Sequence, residues 1–264
     1  MTENIERLLS SEKERQRLQA ELEIAREVQS QLHPRAIPEL GSLRLTTLCS
    51  PARMVSGDYY DYQTVGDSRL VMAIGDVAGK GISAALLMAT LQSAMRSQLR
   101  HCEEASPIPE ISTARLVSNL NDQLHASTSP EKFATFFFSV FDDETGQLHY
   151  TNAGHLPPAL FRGREVQRLD VNGMVVGAFP GVPYGESCVR LETGDLLLCF
   201  TDGISEPENA YGEMFGEERL IELVQANLAR PDEEIVNVIV ESVREWTAAP
   251  ELPDDMTLLL ARKV

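Results

Sequence analysis

Apolar residues recur along this chain in two patterns: short runs typical of buried strands and longer, spaced sets typical of helices. The predicted strands and hairpin segments are residues 43–49, 70–74, 133–141, 148–151, 159–162, 196–201 and 256–260. After the N-terminal segment, the predicted helices are residues 82–99, 113–126, 217–228 and 233–246. Because several strands follow one another through hairpins while helices are grouped between them, this order favours an α+β layered sandwich.

The N-terminal segment, residues 1–33, is dense in Glu, Arg, Gln and Leu and contains neither Gly nor Pro. It predicts one long helix that ends before Pro34. One heptad frame places Leu8, Leu18, Leu22, Ala25 and Leu32 at core positions, with Asn4, Ser11, Arg15 and Gln29 at the others. Two interpretations stay open: a coiled coil that forms a homodimer and receives a signal, or a helix that packs its 22–32 stripe on the following domain, residues 34–264.

Charge and composition narrow the classes of function. The chain has 264 residues, of which 43% are hydrophobic, enough for one large domain or two small ones. A formal charge of −17 argues against nucleic acid or an anionic membrane as a partner. No apolar run approaches the length of a membrane span. The four cysteines are widely spaced, without a Cys-x-x-Cys pair, and a cytoplasmic location is predicted.

Asp76 is the residue that most directly indicates a functional site. An apolar run leads into it, and Gly75, Gly79 and Gly81 lie around it. A carboxylate at the end of a buried strand is costly unless a cation compensates its charge, and glycines allow a sharp turn or a close approach to the backbone. The segment does not fit a nucleotide phosphate-binding loop, because Lys80 lacks the required glycine spacing and is followed by glycine.

Aspartates at the start or end of apolar strands recur in three further segments. Asp202 follows one strand, Asp254 and Asp255 precede the last strand, and Asp58 and Asp61 enclose a pair of tyrosines. Oxygen ligands without histidine or thiolate partners suit Mg²⁺ or Mn²⁺. Two such ions roughly 3.5–4 Å apart can lower the pKa of a shared water and neutralise a phosphoryl group. The pattern therefore predicts a two-metal hydrolase.

Five sequence blocks resemble, in order, the metal-dependent Ser/Thr protein phosphatases (PPM type) in their bacterial SpoIIE/RsbU branch. The blocks are SGDYYD (56–61), GDVAGKG (75–81), TNAGH (151–155), TDGISE (201–206) and DDMT (254–257). The resemblance covers about residues 20–262, and five ordered blocks are far more specific than one. It implies an αββα sandwich of two antiparallel sheets flanked by helices, preceded by the long N-terminal helix, with the metals between the sheet edges.

The resemblance also implies roles for individual residues. Asp76 resembles the ligand that bridges two ions, and Val77 would offer its backbone carbonyl to one of them. Asp202 and Asp254 resemble the ligands of the other ion. Asp58 resembles the acid that binds or orients the attacking water.

Further candidates would support the ligands or contact the substrate: Asp61, Asp255, Gly203, Lys80 and His155. Asp61 and Asp255 are the more structural of these. His155 could be a general acid or could fix a turn, and local composition favours the turn. Arg53 is a nearby candidate for the phosphate-gripping arginine of eukaryotic relatives, although a surface ion pair is its more ordinary role.

The function implied by the resemblance is hydrolysis of phosphoserine or phosphothreonine on a regulatory protein by metal-activated water, with two Mn²⁺ or Mg²⁺ ions. The implied substrate is a STAS-type anti-sigma-factor antagonist, and the implied regulator is an upstream sensor or activator protein. We further expect the N-terminal helix to contact the helices at 82–99 and 113–126. Two alternatives stay open: a catalytically silent binding module that dimerises through its N-terminal helix, and a two-metal phosphodiesterase.

Overall fold

The computed structural model describes residues 2–34, 36–38, 40–105, 109–129, 131–248 and 252–264, with side chains described from residue 9. Its helices are α1 (Thr2–Leu32), α2 (Ile82–Glu103), α3 (Thr113–Ser127), α4 (Asp202–Ser205), α5 (Glu217–Asn227) and α6 (Asp232–Thr247). Its strands are β1 (Leu43–Ser50), β2 (Asp58–Val65), β3 (Arg69–Val77), β4 (Ala134–Asp142), β5 (Gln147–Ala153), β6 (Ala159–Arg162), β7 (Glu165–Arg168), β8 (Ser187–Arg190), β9 (Leu196–Phe200) and β10 (Met256–Lys263). None of the described helices is both long enough and apolar enough to cross a membrane.

Two five-stranded sheets form the centre of the fold. One has the strand order β1-β10-β9-β6-β7, and the other has the order β2-β3-β4-β5-β8. Each neighbouring pair of strands is antiparallel. The predicted class of two antiparallel sheets is therefore confirmed.

Three apolar clusters define the layers, and β3 shows how one strand serves two of them. Its Met72 and Ile74 point between the sheets, where they pack with residues of β9 and β10. Its Val71 and Ala73 point the other way, into a cluster with α2 and α3. A third cluster joins the outer face of the other sheet to α5 and α6. The order of layers is helix, sheet, sheet, helix, as predicted.

Helix α1 contacts the sandwich through its C-terminal part. The side chains of residues 9–21 are all exposed, whereas Leu22, Ala25 and Leu32 are half-buried and Gln29 is buried. Gln92 on α2 donates a hydrogen bond to the carbonyl of Leu32. The predicted 22–32 stripe and the predicted contact with α2 are thus present in the structure. A homodimer through the exposed part of α1 stays a prediction.

The sequence analysis did not predict the strands β2, β7 and β8 or the short helix α4. The sequence of β2, DYYDYQTV, looks polar, yet most of it is buried because Asp61 pairs with Arg96 and the tyrosine rings pack. Strands β7 and β8 lie at sheet edges, are four residues long and alternate between half-buried and exposed positions. Strand β3 continues to Val77, so that Asp76 lies inside the strand and not after it.

Candidate metal centre

Both sheets bring carboxylates to the same edge of the sandwich. Asp58 and Asp76 are direct partners in the register of β2 and β3, and the alternation along these strands points both side chains between the sheets. In the other sheet, Asp202 follows the end of β9 and Asp254 precedes the start of β10, which pairs with β9. Antiparallel pairing therefore places the two pairs of aspartates at one edge.

Asp58 is held between the two sheets. Its carboxylate oxygen Oδ2 accepts hydrogen bonds from Thr201 Oγ1 at 2.8 Å and from Thr257 Oγ1 at 2.6 Å. Both threonines belong to the opposite sheet or its immediate end, and Asp58 is 1% exposed. Thr201 and Thr257 lie in the blocks TDGISE and DDMT, but no role was predicted for either of them, because their bonds to Asp58 depend on how the sheets stack.

Asp255 holds the segment that leads into β2. Its Oδ1 accepts from the backbone N–H of Ala52 at 2.7 Å, and its Oδ2 accepts from Ser56 Oγ at 2.8 Å and from the N–H of Gly57 at 2.9 Å. These three bonds use the carboxylate to fix backbone next to Asp58. They fit the structural role expected for Asp255.

Asp61 lies on the other face of β2. It alternates with Asp58 along the strand and points toward α2, where it accepts hydrogen bonds from Arg96 Nε at 2.7 Å and Nη2 at 2.8 Å. Tyr59 Oη donates to it at 3.0 Å. Asp61 is fully buried in this ion pair and is separated from the other aspartates by its strand. The structure thus does not bring Asp61 to the candidate metal centre.

The carboxylates at the edge oppose one another's ionisation. Burial raises the pKa of Asp76 to about 7, and the negative charges of Asp202, Asp254 and Asp255 add to the rise. Burial and Asp254 raise the pKa of Asp202 as well. For Asp58, burial and then Asp76 raise the pKa well above its usual range, although the two threonine hydroxyls act in the opposite direction. Oxygen donors that repel one another in this way fit a divalent cation.

Lys80 supplies a positive charge at this edge. Its Nζ lies 2.6 Å from Asp254 Oδ2, and that contact raises its pKa, whereas the charge of Arg53 lowers it. Arg53 is exposed and forms no ion pair with the described residues, and its role stays a prediction. A cation at Asp254 would compete with Lys80.

The side chains alone do not yet form a closed ligand shell. Within the described part of the chain, no three His, Cys, Asp or Glu side chains are grouped so that they could hold one ion. Mg²⁺-type ions keep several waters and also accept backbone carbonyls, so few side chains are needed. Val77 lies one residue beyond the β2–β3 pairing, which ends at Asp58 and Asp76. The donor set, which is hard oxygen throughout, fits Mg²⁺ or Mn²⁺ by its chemistry.

Two glycines leave room around the carboxylates. A Cβ atom on Gly57 would lie 3.3 Å from the carbonyl oxygen of Val77 and 3.5 Å from Asp76 Oδ1. A Cβ atom on Gly203 would lie far inside van der Waals contact of the Asp255 carbonyl. Gly203, a candidate from the sequence, is therefore required for the close approach of α4 to the start of β10.

His155 lies beside Asp76 without contacting it directly. Its Nδ1 is 2.9 Å from Thr135 Oγ1, and Thr135 Oγ1 accepts from the N–H of Asp76 at 3.2 Å. The N–H of His155 donates to Asn152 Oδ1 at 2.9 Å, which closes the turn. Burial lowers the pKa of His155 to about 4, so the imidazole is neutral near pH 7. This geometry favours the turn-fixing role over the general acid.

Comparison with known proteins decides the family. Residues 66–264 match the family described as Stage II sporulation protein E (SpoIIE). The chain belongs to the SpoIIE family. The predicted resemblance to PPM-type (also called PP2C-type) Ser/Thr protein phosphatases of the SpoIIE/RsbU branch is confirmed.

Individual relatives agree with this SpoIIE assignment. Phosphoserine phosphatase RsbU of Bacillus subtilis is 30% identical over 252 residues, which cover 94% of this chain and 71% of RsbU. Protein IcfG of Synechocystis sp. is 28% identical over 261 residues, which cover 90% of this chain but 41% of IcfG. The SiaA-PP2C domain of Pseudomonas aeruginosa, 22% identical, superposes with a TM-score of 0.81 over 95% of this chain and 98% of that domain. The chain thus spans less than half of IcfG and most of RsbU.

Two further solved structures with the same fold contain metals. RsbX in complex with magnesium superposes with a TM-score of 0.63 at 16% identity, over 87% of this chain and 99% of RsbX. The catalytic domain of the serine/threonine phosphatase PstP, in complex with 2 manganese ions, superposes with a TM-score of 0.61 at 16% identity, over 84% and 99%. At 16% sequence identity, the similarity of this chain to RsbX and PstP is a similarity of fold.

Proposed function

We propose that this chain is a Mn²⁺- or Mg²⁺-dependent phosphatase that hydrolyses phosphoserine or phosphothreonine on a protein. The observation that carries the proposal is the convergence of Asp58, Asp76, Asp202 and Asp254 from both sheets at one edge. The negative charges of neighbouring carboxylates raise the pKa of Asp58, Asp76 and Asp202, and a divalent cation would stabilise such a site. The metal-bearing relatives RsbX and PstP support the same choice of ions.

Each ligand has a proposed place in a two-ion site. Asp76 would bridge the ions, the carbonyl of Val77 would serve one of them, and Asp202 and Asp254 would serve the other. Such ions, when bound, lower the pKa of a water and neutralise the phosphoryl oxygens. Asp58, fixed by two hydroxyls, would orient the attacking water. In the hydrolysis, the oxygen of a water would bond to phosphorus while the bond from phosphorus to the serine oxygen breaks, and the proton that the water gives up would pass to the serine oxygen.

A phosphoprotein is the proposed substrate because the site lies at an open edge of the sandwich. Two cavities of about 350 and 370 Å³ meet at Asp202 and Glu206, one on the side of Asp254 and one on the side of His155. A polypeptide carrying a phosphoserine could cross such an edge. RsbU is named a phosphoserine phosphatase, which supports this class of substrate. A STAS-type antagonist stays the proposed substrate. The cytoplasm stays the proposed location of the protein, as the cysteine pattern predicts.

Residues 1–33 are proposed to be the signal-input segment, and residues 34–264 the phosphatase domain. Gln29 on α1 forms two hydrogen bonds with Ser56: Nε2 donates to the Ser56 carbonyl at 2.7 Å, and the Ser56 N–H donates to Oε1 at 2.9 Å. Ser56 Oγ in turn accepts from the N–H of Asp58 at 3.0 Å. An upstream activator that shifts α1, with or without homodimerisation, could therefore act on Asp58.

Replacing Gln29 by alanine should raise the Mn²⁺ concentration needed for half-maximal activity severalfold. The variant loses two hydrogen bonds, each contributing about 1 kcal/mol, that hold the backbone before Asp58. The measurement is phosphate release against Mn²⁺ concentration. Gln19→Ala, at an exposed position on the same helix, is the matched control. A Mn²⁺ curve for Gln29→Ala that overlies the wild-type curve would count against coupling through this residue.

The proposed function is tested by phosphate release from a phosphoserine peptide and from p-nitrophenyl phosphate. Mn²⁺ is titrated in, and excess chelator is then added. We expect release that rises with Mn²⁺ and stops with chelator, because the carboxylates hold the ions that activate water. Release that continues in chelator would contradict the proposal. The binding-module alternative predicts no release at any metal concentration, and the phosphodiesterase alternative predicts faster cleavage of bis(p-nitrophenyl) phosphate than of the monoester.

A further inference from the structure

A groove of about 350 Å³ opens beside the candidate metal centre. Part of its wall is formed by Lys80, Asp202 and Asp254, and the rest is formed by residues that have no place in the proposed chemistry. These are Gly203, Glu206, Pro207, Glu208, Met214, Thr247 and Pro253. The groove is therefore continuous with the site at which the phosphoryl group would bind.

The segment at 206–216, which we call the acidic lobe, has a fixed shape. Asn209 Oδ1 accepts from the N–H groups of Tyr211 at 2.9 Å and Glu213 at 3.1 Å. Trp246 Nε1 donates to the carbonyl of Glu213 at 3.0 Å, and the N–H of Gly216 donates to the carbonyl of Ser205 at 2.7 Å. Because these bonds lie within the lobe or tie it to α4 and α6, its groove-facing residues are positioned before any substrate arrives.

The acidic lobe has exposed carboxylates and one exposed apolar side chain. Glu206 and Glu208 are exposed, and neither forms an ion pair with a described residue. Met214 is 55% exposed although it is large and apolar. The nearest arginine along the chain, Arg219, lies 3.8 Å from the centroid of the Trp246 ring and is held there. Arg219 also donates to the carbonyl of Met214, but Glu206 and Glu208 have no ion-pair partner within the described part of the chain.

We propose that this groove binds a lysine or arginine side chain that flanks the phosphoresidue of the substrate. Such a side chain has an apolar stem, which fits the exposed Met214, and a positive end, which fits Glu208. Side chains two residues apart in an extended segment lie on the same side, about 7 Å from each other, so one can enter the groove while the phosphoserine faces Asp202. The inference rests on the proposed function and adds to it a preference for basic flanking residues.

The test uses three phosphoserine peptides that differ only in the residues two positions before and after the phosphoserine, which are Lys, Ala or Glu. We expect kcat/KM to be about tenfold higher for the Lys peptide than for the Glu peptide, with Ala between them. Glu208→Gln should reduce this ratio to about twofold, and Met214→Ala should lower kcat/KM for the Lys peptide. Glu222→Gln, which removes an exposed charge on α5 outside the groove, should keep the wild-type ratio.

The aryl phosphate separates this inference from the proposed function, since p-nitrophenyl phosphate has no basic side chain that could enter the groove. Its hydrolysis should be unchanged in Glu208→Gln and Met214→Ala. Equal rates for the three peptides in wild type, with the aryl phosphate hydrolysed, would overturn the groove proposal and leave the phosphatase standing. The full Lys preference in Glu208→Gln would also overturn it. No Mn²⁺-dependent hydrolysis of peptide or aryl phosphate would overturn the proposed function and the groove proposal together.

Discussion

Replacing Asp76 by asparagine should lower Mn²⁺-dependent phosphate release by more than about 100-fold, because even outer residues of metal sites are worth 10- to 100-fold. Asp76 lies at the centre of the carboxylates, where Asp202 and Asp254 both act on its ionisation. Asparagine keeps the shape of the side chain and removes the charge that a cation requires. Asp202→Asn should have a similar effect. The measurement is kcat on a phosphoserine peptide at saturating Mn²⁺.

The same variant should not harm the fold. The pKa of Asp76 in the folded chain, about 7, is raised above the usual value of 3.8, so its ionised form disfavours the folded state as pH rises through this interval. In the presence of chelator at mildly alkaline pH, Asp76→Asn should therefore unfold at the same temperature as wild type or above it. Asp67→Asn, at the exposed turn at the far end of β3, is the matched control. Wild-type turnover in both Asp76→Asn and Asp202→Asn would end the two-metal proposal.

The positions of Asp76, Asp202 and Asp254 could be predicted from the sequence because each lies at or next to the end of an apolar strand. An apolar run followed by aspartate marks the end of a buried strand, and antiparallel pairing collects such ends at one side of a sandwich. The threonines that hold Asp58 could not be found in this way. Thr201 and Thr257 lie 143 and 199 residues away along the chain, and their hydroxyls reach Asp58 only because one sheet stacks on the other.

Asp61 and Gln29 show two different limits of sequence patterns. Asp61 shares a motif with Asp58, but a spacing of three residues in a strand puts the two side chains on opposite faces. If β2 had been predicted as a strand, the two aspartates would have been placed on opposite faces, but its polar sequence does not predict a strand. Gln29 looks like a flaw in the heptad frame, yet it is 7% exposed and bonds the backbone of Ser56. A side chain whose partner is backbone leaves no signal in the partner's sequence.

Replacing Gly203 by alanine should disable the site by moving backbone. A Cβ atom there would overlap the carbonyl oxygen of Asp255 and lie 3.4 Å from the carbonyl carbon of Asp254. Both obstacles are backbone atoms, so no rotation of a side chain can relieve the overlap. Either α4 or the start of β10 must shift, and the shift changes the distance from Asp202 to Asp254.

A displacement of this kind should lower kcat by about 100-fold, since errors near 1 Å in placing catalytic groups cost that much. It should also destabilise the fold by about 1–3 kcal/mol, the usual cost of overpacking. The measurements are Mn²⁺-dependent phosphate release and thermal unfolding. Gly41→Ala is the matched control, because among the described residues a Cβ atom there meets only Asp143 Oδ2, at an ordinary 3.8 Å. If Gly203→Ala kept wild-type turnover and stability, the close approach that brings Asp202 beside Asp254 would be wrong. The ligand set would then need another pair of residues from this sheet.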